Sequence, residues 1–261
     1  MAFLSLLVLF SAQIVQAQHV IDLSGKWKVQ LDENNELVKK HPEQCTLEGS
    51  IDLPASLAEK GYGFKTTGSD FGILTPEYKY IGKASYSRII EIPENWANKE
   101  IEIFLERVLW ESRIFIEGKE LSKKDALGTP HVHRVGELRP GKHNLLVQVD
   151  NGMIHNIGDK GHAYGEYTQS IWNGIVGRME MRAIEKTSIE KVNIYPDATK
   201  EQLGIKFLAN AKNNVDATVL FNIESLETGE TVLSGKKDFN LLKDENELSF
   251  TISTHKKLKK W

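Results

Sequence analysis

The chain has 261 residues, enough for one to three domains, and its 40% content of apolar residues is sufficient for ordinary hydrophobic cores. The 33 basic and 36 acidic side chains nearly balance, which argues against a nucleic-acid partner, because such a partner usually requires a basic face. The single cysteine, Cys45, excludes an intrachain disulfide and a cysteine-based metal site.

The first seventeen residues resemble a signal peptide. An apolar run fills residues 3–10, and residues 15–17 supply a small-residue cleavage site. The run is too short to span a bilayer. No Lys or Arg precedes Lys26, so the positive start of a typical signal peptide is missing, and a buried N-terminal segment is the alternative. We therefore predict a signal peptide at residues 1–17 and a periplasmic or secreted protein that does not span a membrane.

Beyond Gln18 the apolar residues recur with a period of two. Such alternation places one face of each strand on a core and the other in water. The clearest examples are Ile101, Ile103 and Leu105; Ile114 and Ile116; Leu145, Val147 and Val149; Leu203, Ile205 and Phe207; Val219, Phe221 and Ile223; and Leu248, Phe250 and Ile252. Turn residues separate them, at Glu117-Gly118, Arg139-Pro140-Gly141 and Thr228-Gly229. The prediction is an all-β protein, with short helices only near Glu36–Lys40 and Leu57–Lys60.

Two domains fit this pattern better than one. Strands are frequent up to Ala183, and a new series opens at Ser188. We place the boundary near residues 184–187, which gives domains at 18–185 and 186–261. The second holds five or six predicted strands, enough for most of a small immunoglobulin-like sandwich.

About 25 residues between the strands that end at Val149 and begin near Ile175 have no periodicity. Loops of this length in compact domains are usually functional or disordered. This one is rich in aromatic and hydrogen-bonding side chains, which favours a functional loop. Within it, Glu166, Gln169, Trp172 and Asn173 offer the apolar surface and the hydrogen-bonding groups that a sugar requires. They are the candidate substrate-binding residues.

Signatures of catalysis are absent from the sequence. It contains no GxxxxGK, GxGxxG, HExxH or GxSxG motif, and we nominate no catalytic residue, no metal site and no cofactor. His131 and His133 have ligand-like spacing on a strand, but no third ligand is evident, and exposed polar residues on an edge strand are the simpler interpretation. The tryptophans Trp27, Trp96 and Trp110 lie beside strand-like segments and are predicted to be core residues.

The motifs of the chain resemble glycoside hydrolase family 2, which includes β-galactosidases, β-glucuronidases and β-mannosidases. The run from Thr168 to Arg178 is similar to the end of the N-terminal sugar-binding domain of that family, particularly in exported members typical of gut Bacteroidetes. Further pieces agree in order: Leu23-Ser24-Gly25-Lys26-Trp27, Asp52-Leu53-Pro54-Ala55-Ser56-Leu57, Tyr80-Ile81-Gly82, Tyr86, Arg88, Glu106-Arg107, Trp110-Glu111-Ser112, Gly118-Lys119, Pro140-Gly141-Lys142-His143 and Val149-Asp150-Asn151.

The resemblance implies a jelly-roll-like β-sandwich, then an immunoglobulin-like sandwich, then a TIM barrel that carries the two catalytic glutamates of a retaining enzyme. The sequence stops at Trp261, where the family continues towards the barrel. We therefore expect an incomplete second sandwich, no barrel and no glycosidase activity in the chain alone. The implied partners are a carbohydrate, as a β-glycoside, and the missing barrel.

The resemblance also suggests which loop residue contacts the sugar. In the β-galactosidase and β-glucuronidase pattern an Asp lies six residues before the glycine that matches Gly174, and Thr168 holds that position here. Exported Bacteroidetes-like members carry an acid at the position of Glu166, which makes Glu166 the main candidate, with Gln169 and Asn173 as lesser ones. The alternatives are a free-standing carbohydrate-binding module or lectin, and a protein-interaction domain.

Overall fold

The structure is a computed structural model that describes residues 20–33, 36–37, 47–68, 74–158, 161, 164, 171–224 and 229–254. The chain divides into two compact units between Ala183 and Ile184. Cys45, Glu166, Gln169 and residues 255–261 lie outside the described residues.

The first unit contains thirteen described strands and one 3-10 turn at Glu94–Trp96. The strands are β1 Val20–Asp22, β2 Gly25–Asp32, β3 Gly49–Leu53, β4 Ala55–Ser56, β5 Phe64–Lys65, β6 Tyr78–Lys79, β7 Lys83–Ile92, β8 Glu100–Val108, β9 Glu111–Ile116, β10 Lys119–Asp125, β11 His131–Glu137, β12 Gly141–Asp150 and β13 Gly174–Ile184.

These strands form two large sheets and a small hairpin. One sheet has the order β1-β13-β8-β11, with β4 also paired to β13, and the other has the order β10-β9-β12-β7-β2-β3; β5 and β6 pair with each other. The alternating apolar residues of both sheets meet in one core, where Ile101, Ile103, Leu145 and Val147 have no exposed surface. Hydrophobic burial between two facing sheets therefore holds this unit together.

The second unit contains β14 Thr187–Asp197, β15 Gln202–Ala211, β16 Val215–Glu224, β17 Thr231–Leu241 and β18 Asp244–Ser253. Strands β14, β15 and β18 form one sheet, and β16 pairs with β17. Its small core centres on Phe207, whose ring lies 5.3 Å from that of Phe239 and 6.2 Å from that of Phe250. Val192 and Ile194 of β14 pair with Phe207 and Ile205, yet they are 52% and 61% exposed. The apolar inner face is thus only partly covered among the described residues.

The prediction of an all-β protein is confirmed, because the described residues contain strands and no α-helix. The Glu117-Gly118 turn joins β9 to β10 with both residues at positive φ, 48° and 78°, which matches the twist of a two-residue hairpin.

The prediction of a short helix at Leu57–Lys60 is wrong. This segment forms turns closed by hydrogen bonds from the amides of Lys60 and Tyr62 to the carbonyl of Leu57.

Trp27, Trp96 and Trp110 are between 1% and 3% exposed, which confirms that they are core residues. The indole of Trp27 donates to the carbonyl of Leu23 at 2.9 Å, so its one polar group is paired inside the core. Of the helices within the described ranges, none has the length and apolar character needed to cross a membrane.

Candidate functional site

The irregular loop predicted from the sequence lies between the end of β12 at Asp150 and the start of β13 at Gly174. Its first residue, Asn151, is fully buried. The Asn151 amide nitrogen donates to the carbonyls of Tyr80 and Trp172, at 3.0 Å each. Its amide oxygen accepts from the Gly82 N–H at 2.8 Å and from the Asn173 amide at 3.0 Å. One side chain therefore ties the start of the loop to its end and to the β6–β7 connection.

Asn173, at the far end of the loop, is 2% exposed and works with Asn151. Its side-chain amide nitrogen also donates to the carbonyl of Gly82 at 2.8 Å, and its backbone carbonyl accepts from the Leu57 N–H at 2.7 Å. The Tyr86 hydroxyl lies 3.5 Å from its amide oxygen. The structure thus places Asn173 inside the fold as part of an amide clasp, defined here as Asn151 with Asn173. A sugar contact by Asn173 stays a prediction.

A small apolar cluster, separate from the main core, forms a floor beneath the loop. Its buried members are Leu109, Trp110 and Tyr164, and the partly buried residues packed on them are Leu127, Ile154, Ile171 and Trp172. The rings of Trp110 and Tyr164 meet edge to face at 4.8 Å, and the Tyr164 hydroxyl donates to the carbonyl of Asn151. The loop therefore contributes Tyr164 to its own floor.

Trp172 is the one candidate sugar-binding residue that the structure describes as partly exposed. Its backbone is fixed by Asn151, and its side chain packs on the floor. An indole held in this way keeps its orientation while part of its surface remains accessible, which is what stacking against the apolar face of a sugar requires. Glu166 and Gln169 lie outside the described residues, so their predicted roles stay predictions.

Two polar side chains beside the floor were not predicted as site residues. His155 Nε2 lies 3.2 Å from Asp125 Oδ2, both side chains are exposed, and the His155 ring is 6.1 Å from Trp110. Their spacing of thirty residues carries no sequence signal. The end of β10 and the start of the loop meet only because β10 and β12 are both antiparallel to β9 and therefore end on the same side of the sheet.

His131 and His133 are 1% and 0% exposed, so the prediction that they are exposed polar residues is wrong. Strand β11 is an edge strand, as expected, but these two side chains point to the core face together with Val135. Ser112 Oγ lies between them, 2.6 Å from His131 Nδ1 and 2.8 Å from His133 Nε2. No group of three or more metal-ligating side chains occurs in the part of the chain that the structure describes.

Burial lowers the pKa of both imidazoles, because the charged form loses its hydration. The pKa of His133 falls to about 3 through burial and the neighbouring His131, and that of His131 falls through burial against the opposing effect of its hydrogen bond to Ala126. Both histidines are therefore neutral near pH 7.

Stability should fall as the solution is acidified below the pKa of an unfolded histidine, about 6.5. In this range His133 binds a proton in the unfolded chain but not in the folded one. We therefore expect the free energy of unfolding to fall by about 1.4 kcal/mol per pH unit, down to a pH of about 3. Urea unfolding between pH 7.5 and about 5 measures the loss. His133→Gln should remove about 2 kcal/mol of it, since its amide cannot titrate. An unchanged pH dependence in this variant would contradict the burial argument.

Glu111, in the Trp110-Glu111-Ser112 motif, is a buried carboxylate with two cationic partners. Lys123 Nζ lies 2.6 Å from Oε2 and Arg113 Nε lies 2.7 Å from Oε1. Burial alone raises its pKa, but the hydrogen bonds from Lys123 and Arg113 outweigh it and hold the pKa below its usual value. The carboxylate is therefore ionised, and the positive charges of Lys123 and Arg113 balance its negative charge. These ion pairs serve the structure of the sheet.

Comparison with known proteins gives a likeness in fold. No protein-family model matches the chain, and no curated protein matches its sequence. Among solved structures, a β-glucuronidase from glycoside hydrolase family 2 is 15% identical with a TM-score of 0.68, and the match covers 90% of this chain and 26% of that one. The β-glucuronidase of Bacteroides uniformis is 17% identical with a TM-score of 0.63 and coverage of 89% and 27%. The β-glucuronidase of Ruminococcus gnavus is 17% identical with a TM-score of 0.61 and coverage of 90% and 38%.

The chain thus has a fold similar to part of these β-glucuronidase structures, over most of its length. It spans between 26% and 38% of the length of these three chains.

Proposed function

We propose that this chain is the N-terminal, non-catalytic part of an exported family 2 glycoside hydrolase, whose loop between β12 and β13 supplies substrate-side contacts to a β-glycoside. The observation that carries this proposal is the fold similarity to family 2 β-glucuronidases over about nine tenths of the chain. In the proposed enzyme the first unit is the jelly-roll sugar-binding domain and the second is an immunoglobulin-like sandwich. The catalytic glutamates would reside in a TIM barrel outside this sequence.

The arrangement of the loop supports a binding role. Its two ends are joined by Asn151 and Asn173, and Tyr164 donates a hydrogen bond to the carbonyl of Asn151, so contacts within the fold meet the ordering cost of these described loop residues. Trp172 is positioned by the same contacts and keeps part of its surface accessible. We assign the sugar platform to Trp172 and hydrogen bonds to Glu166 and Gln169. Asn173 would act mainly by holding the loop.

The incompletely covered inner face of the second unit supports the proposal that the unit belongs to a larger assembly. Val192 and Ile194 lie on the same sheet face as the phenylalanine core but remain more than half exposed. Apolar surface of this kind is commonly covered by a neighbouring domain or strand.

The decisive test of the proposed enzyme is the nucleotide sequence that follows the codon of Trp261. We expect an in-frame or frameshifted region that encodes a barrel with two catalytic glutamates. The purified chain should not hydrolyse nitrophenyl β-glycosides. Hydrolysis that disappears when one of its own carboxylates is replaced would overturn the proposal, and so would a terminator followed by an unrelated gene.

Replacing Trp172 by Ala should weaken sugar binding about tenfold, which corresponds to about 1.4 kcal/mol for a lost stacking surface. The measurement is calorimetric titration of the chain with methyl β-galactoside, β-glucuronide and β-mannoside. Tyr195→Ala is the matched control, because Tyr195 is an exposed aromatic residue of the second unit, 57% exposed. Equal affinity in the Trp172 variant and the control would remove Trp172 from the site.

A free-standing carbohydrate-binding module is the second candidate, and the partly exposed Trp172 favours it equally. It differs in requiring measurable affinity from the chain alone. A folded sample that gives no heat with any of the three sugars would contradict this candidate. The enzyme proposal would then rest on the downstream sequence.

A further inference from the structure

A continuous chain of hydrogen bonds crosses the interior between the two sheets of the first unit. Ser122 Oγ on β10 lies 3.0 Å from His133 Nδ1, and His133 Nε2 lies 2.8 Å from Ser112 Oγ on β9. Ser112 Oγ lies 2.6 Å from His131 Nδ1, and His131 Nε2 lies 2.9 Å from the carbonyl oxygen of Ala126. Every ring nitrogen of the two histidines is therefore used.

Counting protons fixes the direction of this chain. The Ala126 carbonyl can only accept, so His131 carries its proton on Nε2 and, being neutral, accepts at Nδ1. Ser112 has a single proton, which it donates to His131, and its oxygen must accept from His133 Nε2. His133 Nδ1 then accepts from the Ser122 hydroxyl. Both imidazoles are assigned the Nε2–H tautomer.

The hydrogen-bond chain ends next to the apolar floor beneath the loop. Ala126, which receives the final hydrogen bond, donates its own N–H to the carbonyl of Trp110 at 3.2 Å. Trp110 lies two residues before Ser112, and its N–H donates to the carbonyl of Asp150 at 2.9 Å. The hydrogen-bond chain thus sets the separation of β9 from the 126–127 segment. Trp110 and Leu127, two members of the floor, lie on these two pieces of backbone.

We propose that Ser112, His131 and His133 are positioning residues for the loop floor, and that protonation of the two histidines in acid releases loop residues 151–158 before the rest of the unit unfolds. As a regulation of sugar binding this inference rests on the proposed function. As a property of the fold it stands on the contacts above.

The geometry tolerates one added proton and not two. With one, the whole chain can reverse: His131 Nδ1 donates to Ser112, Ser112 donates to His133 Nε2, and His133 Nδ1 donates to Ser122. With two, Ser112 faces N–H donors on both sides, and its hydroxyl proton has no acceptor among the bonds of this chain. The doubly charged state therefore breaks the chain at Ser112.

Charged groups near the pair do little to favour protonation. Strand β8 presents the apolar Leu105 and Ile103 opposite His131 and His133. On β10, Lys124 opposes protonation of both rings, and Asp125 favours it for His131. Asp125 also pairs with the exposed His155, which belongs to the loop itself. On β9 the facing group is the neutral Ser112.

Nitrogen NMR of the histidines in the full chain tests the hydrogen-bond chain directly. At pH 7.5 we expect both His131 and His133 as neutral Nε2–H tautomers, and Ser112→Ala should shift the ring nitrogens of both. An Nδ1–H tautomer for either residue, or a Ser112 variant that shifts only one, would overturn the assigned direction.

Hydrogen exchange followed by mass spectrometry, corrected for the intrinsic pH effect, tests the release of the loop. Between pH 7.5 and about 5, we expect the peptides that carry residues 109–127 and 151–158 to gain about tenfold in corrected exchange rate, while the β8 peptide stays protected. His133→Gln should suppress the gain, because Gln can still donate to Ser112 and cannot titrate. His143→Gln is the matched control. Its imidazole bonds the Arg139 carbonyl near the start of β12, and its replacement should leave the gain intact.

The outcomes separate this inference from the proposed function. Simultaneous exchange of β8 and the loop, or an acid gain that persists in His133→Gln, would reject the positioning role whatever the sugar titrations show. If acid increases exchange in the loop peptides but the chain binds no sugar at pH 7.5, the positioning role of the histidines would stand and the binding role of the loop would be rejected.

Discussion

Replacing Asn151 by Ala is expected to lower the free energy of unfolding of the first unit by about 3–5 kcal/mol. The side chain makes four hydrogen bonds in a fully buried place. Its removal leaves the carbonyls of Tyr80 and Trp172 and the N–H of Gly82 without that partner. Each buried group left in this way costs about 1–3 kcal/mol. Urea unfolding, followed by the fluorescence to which Trp27 and Trp96 contribute, measures the loss.

Asn156→Ala is the matched control for this prediction. Asn156 lies in the same loop, is exposed, and makes a local bond to the Gly158 N–H at 3.0 Å, so its replacement should change stability by less than about 0.5 kcal/mol. Asn151→Asp should recover little, because a carboxylate cannot donate to the two carbonyls. A loss below about 1 kcal/mol in Asn151→Ala would show that the amide clasp does not hold the loop.

Replacing Gly174 by Ala should destabilise the first unit by at least about 3 kcal/mol, from steric overlap and backbone strain together. Gly174 has φ +143°, a conformation that residues with a Cβ rarely adopt. An added Cβ would overlap the Ala55 carbonyl oxygen and lie 2.8 Å from Ser56 Cα, both backbone atoms of the paired strand β4. The neighbouring strand cannot move aside without losing its pairing to β13.

The thermal midpoint of Gly174→Ala, compared with that of Gly128→Ala, tests this prediction. Gly128 is exposed, and an added Cβ there meets no atom within 4 Å among the residues described. Its replacement should be nearly neutral. Similar midpoints for the two variants would mean that β4 relaxes away from β13. The strain argument would then fail.

These two predictions give a physical reason for part of the Trp172-Asn173-Gly174 motif. Asn173 closes the loop through Asn151, and Gly174 allows β4 to approach β13 closely. Neither residue needs to touch a ligand for this role. For these two positions the motif therefore has a structural explanation, and the proposed sugar contact would have to come from neighbouring loop residues.

The sequence by itself determined the fold class, the position of the loop and the core tryptophans. Side chains in a strand alternate strictly between two faces, so apolar spacing at Ile101, Ile103 and Leu105 translates directly into burial. Turn residues such as Glu117-Gly118 carry their own backbone preference, and that preference survives in the folded chain. These features are local, and a linear sequence records local information well.

Only the tertiary structure decided which distant polar groups meet. The spacing of His131 and His133 indicated one shared face, but their shared hydrogen-bond partner, Ser112, lies on another sheet, nineteen and twenty-one residues away. The clasp joins Asn151 to Gly82, sixty-nine residues apart. Buried polar groups take whichever partner the packing brings within about 3 Å, and that choice depends on the register and the facing of whole sheets. Periodicity records neither, so the amide clasp and the histidine network became visible only in three dimensions.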